Sequence, residues 1–274
     1  MKTKLKVVKI GGHVINDDAQ LDAFLADFAQ LEGPKVLVHG GGEVATEVGR
    51  SLGVEAQMVD GRRITTEADL KIVTMVYAGL LNKKIAAKLQ ALNCSAIGLS
   101  GADGNLITSC KRPLRNKIDY GFVGDVIYVN HELLSGLLQL HLTPVICAVT
   151  HNGQGQLLNT NADTIASEVA IGMSEKFETE LIYCFEKQGV LKDVEDENSV
   201  ITEIGPAHYA ALKAEGKIHS GMIPKLDNCF HALEQQVSKV IIGSTACIRG
   251  GETVYTSLSP GMSREISSLV GAAS

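Results

Sequence analysis

A three-layer αβα sandwich built on a mainly parallel central sheet is the fold class this sequence predicts, and three observations predict it. Short apolar runs of strand length alternate with segments of helical period along nearly the whole chain, the pattern of a sheet covered on both faces by helices. Two early strands run straight into glycines that open a helix, at Lys9-Ile10-Gly11-Gly12 and at His39-Gly40-Gly41-Gly42; bare N–H groups and the positive end of a helix dipole converge at such points. The 274 residues exceed one typical domain of roughly 100–200, so one large α/β unit or two lobes sharing a continuous sheet is expected. The pattern of the first lobe closes near Gly172, which divides the chain into 1–172 and 173–274.

The elements follow in order. Leu5 to Ile10 reads as a buried strand, and Gly11-Gly12 permits a sharp turn toward which Lys9 directs a cation. Asn16-Asp17-Asp18 supplies N-cap chemistry for a helix with Leu21, Phe24, Leu25, Phe28 and Leu31 at helical spacing, ended by Gly33-Pro34. Val36 to His39 is a second buried strand, and a helix through Val44, Val48 and Leu52 follows its three glycines. Met58 to Thr65, containing Gly61-Arg62-Arg63, reads as an extended segment or hairpin. From Thr66, an N-cap, apolar residues keep a helical period to Leu92, and that length predicts packing on a partner subunit as well as on the chain's own sheet.

Ser95 to Leu99 is the third strand. Asn105 to Val129 alternates with period two, broken by Lys111-Arg112-Pro113 and Tyr120-Gly121, which predicts hairpins at the sheet edge with Lys111, Arg112, Arg115 and Lys117 as a solvated basic tip. A helix from His131 to Leu140 precedes a strand from Pro144 to Val149. A small hairpin over 153–158 leads to Asn159-Thr160-Asn161-Ala162-Asp163, which opens a helix through Ile165, Val169 and Ile171. Leu181 to Cys184 is the fifth strand, followed by an acidic surface segment from Asp193 to Glu203 and a helix from Pro206 to Ala214. The glycine-flanked loop over 216–225 enters a helix ending near Gln236, and Val237 to Gly243 is the last clear strand.

Composition narrows the function classes. Apolar residues at 45% and charged residues at 20% describe a globular chain with a sizeable core rather than a disordered one. Acidic residues outnumber basic ones 31 to 25, for a net charge of -6, whereas a nucleic-acid binder carries a basic surface to displace counterions. The six cysteines form no C-x-x-C pair, so neither a zinc site nor a redox motif is expected and small buried apolar roles are. With no apolar leader after Met1 and no uncharged stretch near ~20 residues, neither a signal peptide nor a membrane span is expected, and the cytosol is the expected location.

Several motifs compete. Gly40-x-Gly42-x-x-Ala45 fits the dinucleotide fingerprint, with Asp60 about where a ribose-binding acid belongs, which makes an NAD-dependent dehydrogenase a rival reading. Against it, an equally glycine-rich turn bearing Lys9 comes earlier in the chain. No Walker A sequence and no Gly-x-Ser-x-Gly elbow is present, and His131-Glu132 lacks the second histidine of a zinc protease because position 135 is Ser135.

Five segments in order carry a more specific signal: Val7-Val8-Lys9-Ile10-Gly11-Gly12, Val38-His39-Gly40-Gly41-Gly42, Gly61-Arg62-Arg63-Ile64-Thr65, Asn159-Thr160-Asn161-Ala162-Asp163 and Gly221-Met222-Ile223-Pro224-Lys225. From about residue 5 to 243, their order and spacing resemble the N-acetylglutamate kinases of the amino acid kinase family. The resemblance implies ATP-dependent phosphorylation of the side-chain carboxylate of N-acetyl-L-glutamate. It also implies an N-terminal lobe for the acylglutamate and for dimerisation, and a C-terminal lobe for ATP. Carried over by position, Lys9 and Lys225 would stabilise the transition state and Asp163 would orient them. Gly41, Gly42, Arg63 and Asn159 would bind the acylated amino acid, Gly11 and Gly12 the phosphates, and Glu186, Gly189, Leu191, Lys217, Ile218 and His219 the nucleotide. Mg2+ would arrive with ATP. The eight residues before Lys9 leave no room for the extra helix of arginine-sensitive members, so a homodimer without arginine feedback is the expectation. N-succinyl-L-glutamate is an alternative substrate, for whose extra carboxylate the basic loop from Lys111 to Lys117 is one source of a partner, and a non-catalytic amino-acid sensor an alternative role.

The residue types suit that chemistry on their own terms. A carboxylate acceptor with a pKa near ~4.3 is already ionised at neutral pH, so no general base is required. The difficulty is an anion approaching a polyphosphate, which calls for cations and N–H donors around the transferring group. Arg63 suits a forked clamp on a carboxylate. Asp163 has an alternative reading as a first-turn acid favoured by the helix dipole, and Asn159 and Asn161 as turn or cap residues. Two stretches depart from the family pattern: Phe185-Glu186-Lys187-Gln188-Gly189-Val190 replaces a Thr/Ser-Asp-Val-x-Gly segment, and Ser263 to Ser274 reads as a loose tail.

Overall fold

The computed structural model describes residues 2–59, 62–114, 117–193, 195–218, 222–249 and 253–260. Its first strand, β1 (Lys4–Ile10), sits inside the main sheet, and Leu5, Val7, Val8 and Ile10 are all fully buried. A strand covered on both faces needs a continuous apolar run rather than alternation. Gly11 then starts a one-turn helix α1 (Gly12–Asn16), and Asp17 caps α2 (Asp18–Ala29) by accepting from the N–H groups of Ala19 and Gln20. The helix expected after Asn16-Asp17-Asp18 thus starts at its cap, and the one-turn α1 before it is an addition, separated from α2 by the extended backbone of Asp17.

Next come β2 (Lys35–His39), α3 (Gly42–Ser51) and a hairpin of β3 (Gln57–Val59) and β4 (Arg62–Ile64). The long helical stretch is one rod of three pieces, α4 (Glu67–Val73), a π-helical segment Thr74–Leu81 and α5 (Asn82–Ala91). Thr66 and Asp69 start it with a reciprocal capping box, each side chain bonding the other's backbone N–H.

Then follow β5 (Ala96–Leu99), the antiparallel pair β6 (Ile107–Lys111) and β7 (Gly124–Val129), α6 (His131–Gln139), β8 (Thr143–Cys147), β9 (Val149–His151) and β10 (Leu157–Asn159). The expected strand Pro144–Val149 is thus two strands in two different sheets. The rest comprises α7 (Ala162–Met173), β11 (Glu178–Cys184), β12 (Glu203–Ile204), α8 (Pro206–Ala214), α9 (Ile223–Glu234), β13 (Lys239–Gly243) and β14 (Thr256–Leu258). β13 is not the last strand: β14 adds antiparallel to it, and β12 pairs with β14. The sequence hides β14 because it is three residues long and owes its place to Thr256, whose hydroxyl accepts from the Val190 N–H and donates to the Ile201 carbonyl. The Ser263–Ser274 tail lies outside the described residues.

The main sheet runs β12-β14-β13-β11-β1-β2-β8-β5, parallel except where β13 meets β14. α7 packs on β1, β2 and β11 with α6 and α9 beside it, while α5 packs on β5 and β8 and against α2. A smaller sheet, β10-β9-β6-β7, stands beside the main one. A bridge Val123–Asn159 ties the start of β7 to β10, and a bridge Thr65–Gly121 links the segment before β7 to the residue after β4. In register, Ile10 lies beside His39 and Cys184, and Cys184 beside Gly243. The carboxyl ends of four parallel strands therefore open at one edge, where open α/β sheets bind ligands.

Candidate active site

Two cavities meet along that edge. One, of about 470 Å³, is lined by Gly11, Gly12, His13, Phe185, Glu186, Gly189, Leu191, Met222 and Lys225 among others. The second, of about 440 Å³, is lined by Gly40, Gly41, Gly42, Thr46, Arg63, Tyr77, Arg112 and Asn159 among others. Lys9, Gly12 and Glu43 line both. The junction is therefore marked by a cation, a glycine turn and one acid.

Lys9, near the end of β1, is 9% exposed, and its ammonium lies 2.7 Å from a carboxylate oxygen of Asp163. Asp163 stands in the first turn of α7, whose cap is Asn161 through its bond from the Thr164 N–H. The cap reading of Asn161 and the pairing of Asp163 with Lys9 are thus realised in the same turn. Lys225, in the first turn of α9, comes from the far end of the sequence to the same cleft, with its ammonium 4.0 Å from the centre of the Phe185 ring. Lys9 lies 5.6 Å from that ring centre. Burial lowers the proton affinity of Lys225, Asp163 works against that shift, and the Lys9 charge adds to it.

The glycine turn after β2 is shaped by what faces it. Gly41 has φ +148, and a Cβ there would stand 2.3 Å from Leu81 Cδ1 and 3.1 Å from the Tyr77 ring. Only glycine lets the π-helical segment approach so closely. Below it, His39 is fully buried, its Nδ1 paired with the Gly40 carbonyl and its Nε2 with the Asn82 amide, which also donates to the Val145 carbonyl. Burial drops the His39 pKa to about 4, so the ring is neutral.

Arg63 reaches this turn from β4, where Nη2 donates to the Gly42 carbonyl at 2.9 Å and to Thr46 Oγ1 at 2.5 Å, while Nη1 lies 3.8 Å from Asp69. Asn159 donates to Thr65 Oγ1 at 3.0 Å. Both side chains line the second cavity. Lys217 turns instead to Glu215, at 2.7 Å, and Ile218 is buried in the core; neither lines either cavity. Gly61, Gly221 and His219 lie outside the described residues, as does Asp60 of the dinucleotide fingerprint.

The basic tip is not uniformly solvated. Arg112 is 8% exposed and lines the second cavity, with Nε and Nη2 donating to one oxygen of Asp125 at 2.9 and 2.5 Å and the Tyr120 ring beneath it. Lys111 keeps the exposed role, against Asp119. Pro113 after Arg112 and the acid in β7 were the only sequence signals. Glu43, held by the Asn16 amide, was hidden as an ordinary first-turn acid of α3. Among the described residues no group of three or more His, Cys, Asp or Glu side chains is placed to hold a metal ion, and no helix is long and apolar enough to cross a membrane.

A sequence model of the amino acid kinase family matches residues 4–244. An acetylglutamate kinase from Cytophaga hutchinsonii is 57% identical over 239 residues, covering 87% of this chain and 90% of its own. One from Bacteroides fragilis is 52% identical over 248 residues, covering 90% and 95%. Among solved structures, the Streptococcus mutans protein smu.665 superposes with a TM-score of 0.72 at 24% identity, over 93% of this chain and 98% of that one, a likeness of fold.

Proposed function

The chain belongs to the amino acid kinase family, and from that premise we propose that it transfers the γ-phosphoryl group of ATP to the side-chain carboxylate of N-acetyl-L-glutamate, giving N-acetyl-L-glutamyl 5-phosphate, a step of arginine biosynthesis. The observation that carries the reading is the junction: Lys9 lines both cavities, and Lys225 lines the larger one beside it, both ammonium groups lying near the same Phe185 ring. Family membership replaces the dehydrogenase reading of the Gly40 turn.

In this reading the larger cavity takes ATP, with Glu186, Gly189 and Leu191 on its wall, and the second takes the acylglutamate. Residues 1–172 form the acylglutamate lobe and 173–274 the nucleotide lobe, a division supported by the sheet itself, which places β11 and every later strand on one side of β1. The acceptor is ionised and attacks without a base. The N–H groups at Gly11, Gly12, Gly41 and Gly42 and the two ammonium groups offset charge on the transferring phosphoryl. Arg63 holds the α-carboxylate, exchanging part of its bonding to Thr46 for the ligand. Mg2+ enters on the nucleotide and spreads the phosphate charge. Asp163 keeps Lys9 aimed.

A second reading of the acyl group rests on Arg112, a nearly buried guanidinium in the second cavity that suits a further carboxylate such as that of N-succinyl-L-glutamate. The test is kcat/KM for the two acylglutamates with MgATP, measured by ADP release. A preference for the acetyl substrate is expected; a higher value for the succinyl one moves the assignment to that compound, and no turnover of either returns the chain to the non-catalytic sensor reading. The same reading includes a homodimer in the cytosol, where ATP is at hand. Met75 and Leu80, each 54% exposed on the long helical rod, support it as the apolar residues a partner subunit would cover.

A further inference from the structure

Phe185 occupies the place in the cleft where two like charges come closest to sharing one counterion. Asp163 pairs with Lys9, while Lys225 faces four charged or ionisable groups: Asp163 from α7, Lys9 from β1, Glu186 beside the ring, and the buried, neutral Cys229 thiol from its own helix. A second carboxylate at the ring's position would hold the ammonium firmly and then repel the incoming phosphate. A π-face attracts an ammonium while leaving its charge intact.

The ring is fixed for this task. Its backbone N–H donates to the Gly243 carbonyl at 2.7 Å, and the ring stacks on Tyr183 with centroids 5.9 Å apart and planes 17° apart. The Tyr183 hydroxyl in turn donates to the Asp163 carbonyl at 3.0 Å. One chain of contacts thus joins the carboxylate that holds Lys9 to the ring that holds Lys225.

Resting on the phosphoryl-transfer reading of the two lysines, we propose that Phe185 is a positioning residue whose ring face holds the Lys225 ammonium, and more weakly that of Lys9, at the cavity junction until the nucleotide's terminal phosphate takes them over. A cation–π contact is weak beside a charge-assisted hydrogen bond to phosphate, so the ring orders the free enzyme without competing in the loaded one.

The experiment replaces Phe185 with tyrosine, with leucine, and with mono-, di- and trifluorophenylalanine, which keep the shape while draining the ring's negative face. Two readouts are taken: kcat and KM for MgATP, and the pH titration and ring-current shift of the Lys225 ε-methylene by NMR with labelled lysine, assigned by loss of its signal in Lys225→Arg. The expected loss is in kcat/KM for MgATP, stepwise with fluorination and reaching about 3- to 30-fold, with kcat nearly constant, Phe185→Tyr near the parent and Phe185→Leu showing the full loss. The Lys225 titration is expected to move to lower pH along the same series. A kcat/KM for MgATP and a Lys225 signal indifferent to fluorination, with KM for ATP raised only in Phe185→Leu, would make the ring a plain nucleotide wall and overturn the proposal. The NMR arm needs no turnover, so a ring-shifted Lys225 in a protein without kinase activity would support the contact while removing the functional reading.

Discussion

At the level of single residues, the proposed chemistry rests on how few counterions the cleft offers its cations. Lys9 has one close carboxylate, Asp163, and Lys225 has an aromatic face. In the proposed reaction, removing either ammonium would leave negative charge on the transferring group less compensated, and kcat is expected to fall by about 10²–10³-fold in Lys9→Ala or Lys225→Ala. Circular dichroism should show the fold unchanged; near-parent turnover would contradict the assigned roles. Arg63→Ala is expected to raise KM for the acylglutamate with a smaller effect on kcat, as loss of ground-state binding does, and steady-state kinetics separate the two. His39 gives a stability prediction. Its folded pKa of about 4 lies below the ordinary 6.5, so between those values the unfolded chain binds a proton that the native one refuses. Stability is then full above pH 6.5 and falls by about 3 kcal/mol toward pH 4. Urea titrations of the parent and His39→Gln should differ in this slope, the variant's being the flatter. The meeting of Lys9, Asp163 and Lys225 in one cleft was legible in the sequence through ordered motifs, whereas the basic loop over 111–117 left open whether it is solvated or faces a ligand, because charge on a hairpin tip does not announce the Asp125 that holds Arg112.

At the level of elements, the glycine turn and the π-helical segment specify each other. The apolar period from Leu70 to Leu92 predicted a long helix correctly, but the period does not show its π-helical segment, where Tyr77 and Leu81 fill the space a Gly41 side chain would need and the following Asn82 bonds His39 and the Val145 carbonyl. Gly41→Ala puts a methyl into Leu81 at a φ that L-residues rarely adopt. Such overpacking is expected to destabilise by about 1–3 kcal/mol and to displace the turn. Thermal melting should show the loss, and KM for the acylglutamate should rise with it. β14 escaped the sequence because three residues around a hydrogen-bonded threonine carry no hydrophobic period. The split of β8 from β9 escaped for a similar reason, since one apolar run continues through both.

At the level of the whole molecule, the parallel order β13-β11-β1-β2-β8-β5 was foreseen in kind from alternating strands and helices, and its edge supplies the site. The position of the second sheet beside the main one was not, because pairing across 30 or more residues leaves no local trace. The long rod exposes Met75 and Leu80, and sedimentation should show a dimer that Leu80→Asp dissociates; a monomeric parent protein would remove that part of the proposal. The central claim is that ammonium groups from opposite ends of the chain act on one phosphoryl group between two cavities. Its most direct test is a structure with ADP, Mg2+, aluminium fluoride and N-acetyl-L-glutamate bound together. The Nζ atoms of Lys9 and Lys225 are both expected at about 3 Å from the fluoride group or its bridging oxygens, with the acceptor carboxylate on the Gly41 side. Either lysine pointing away from that group, or the acylglutamate seated in the Phe185 cavity, would contradict the account.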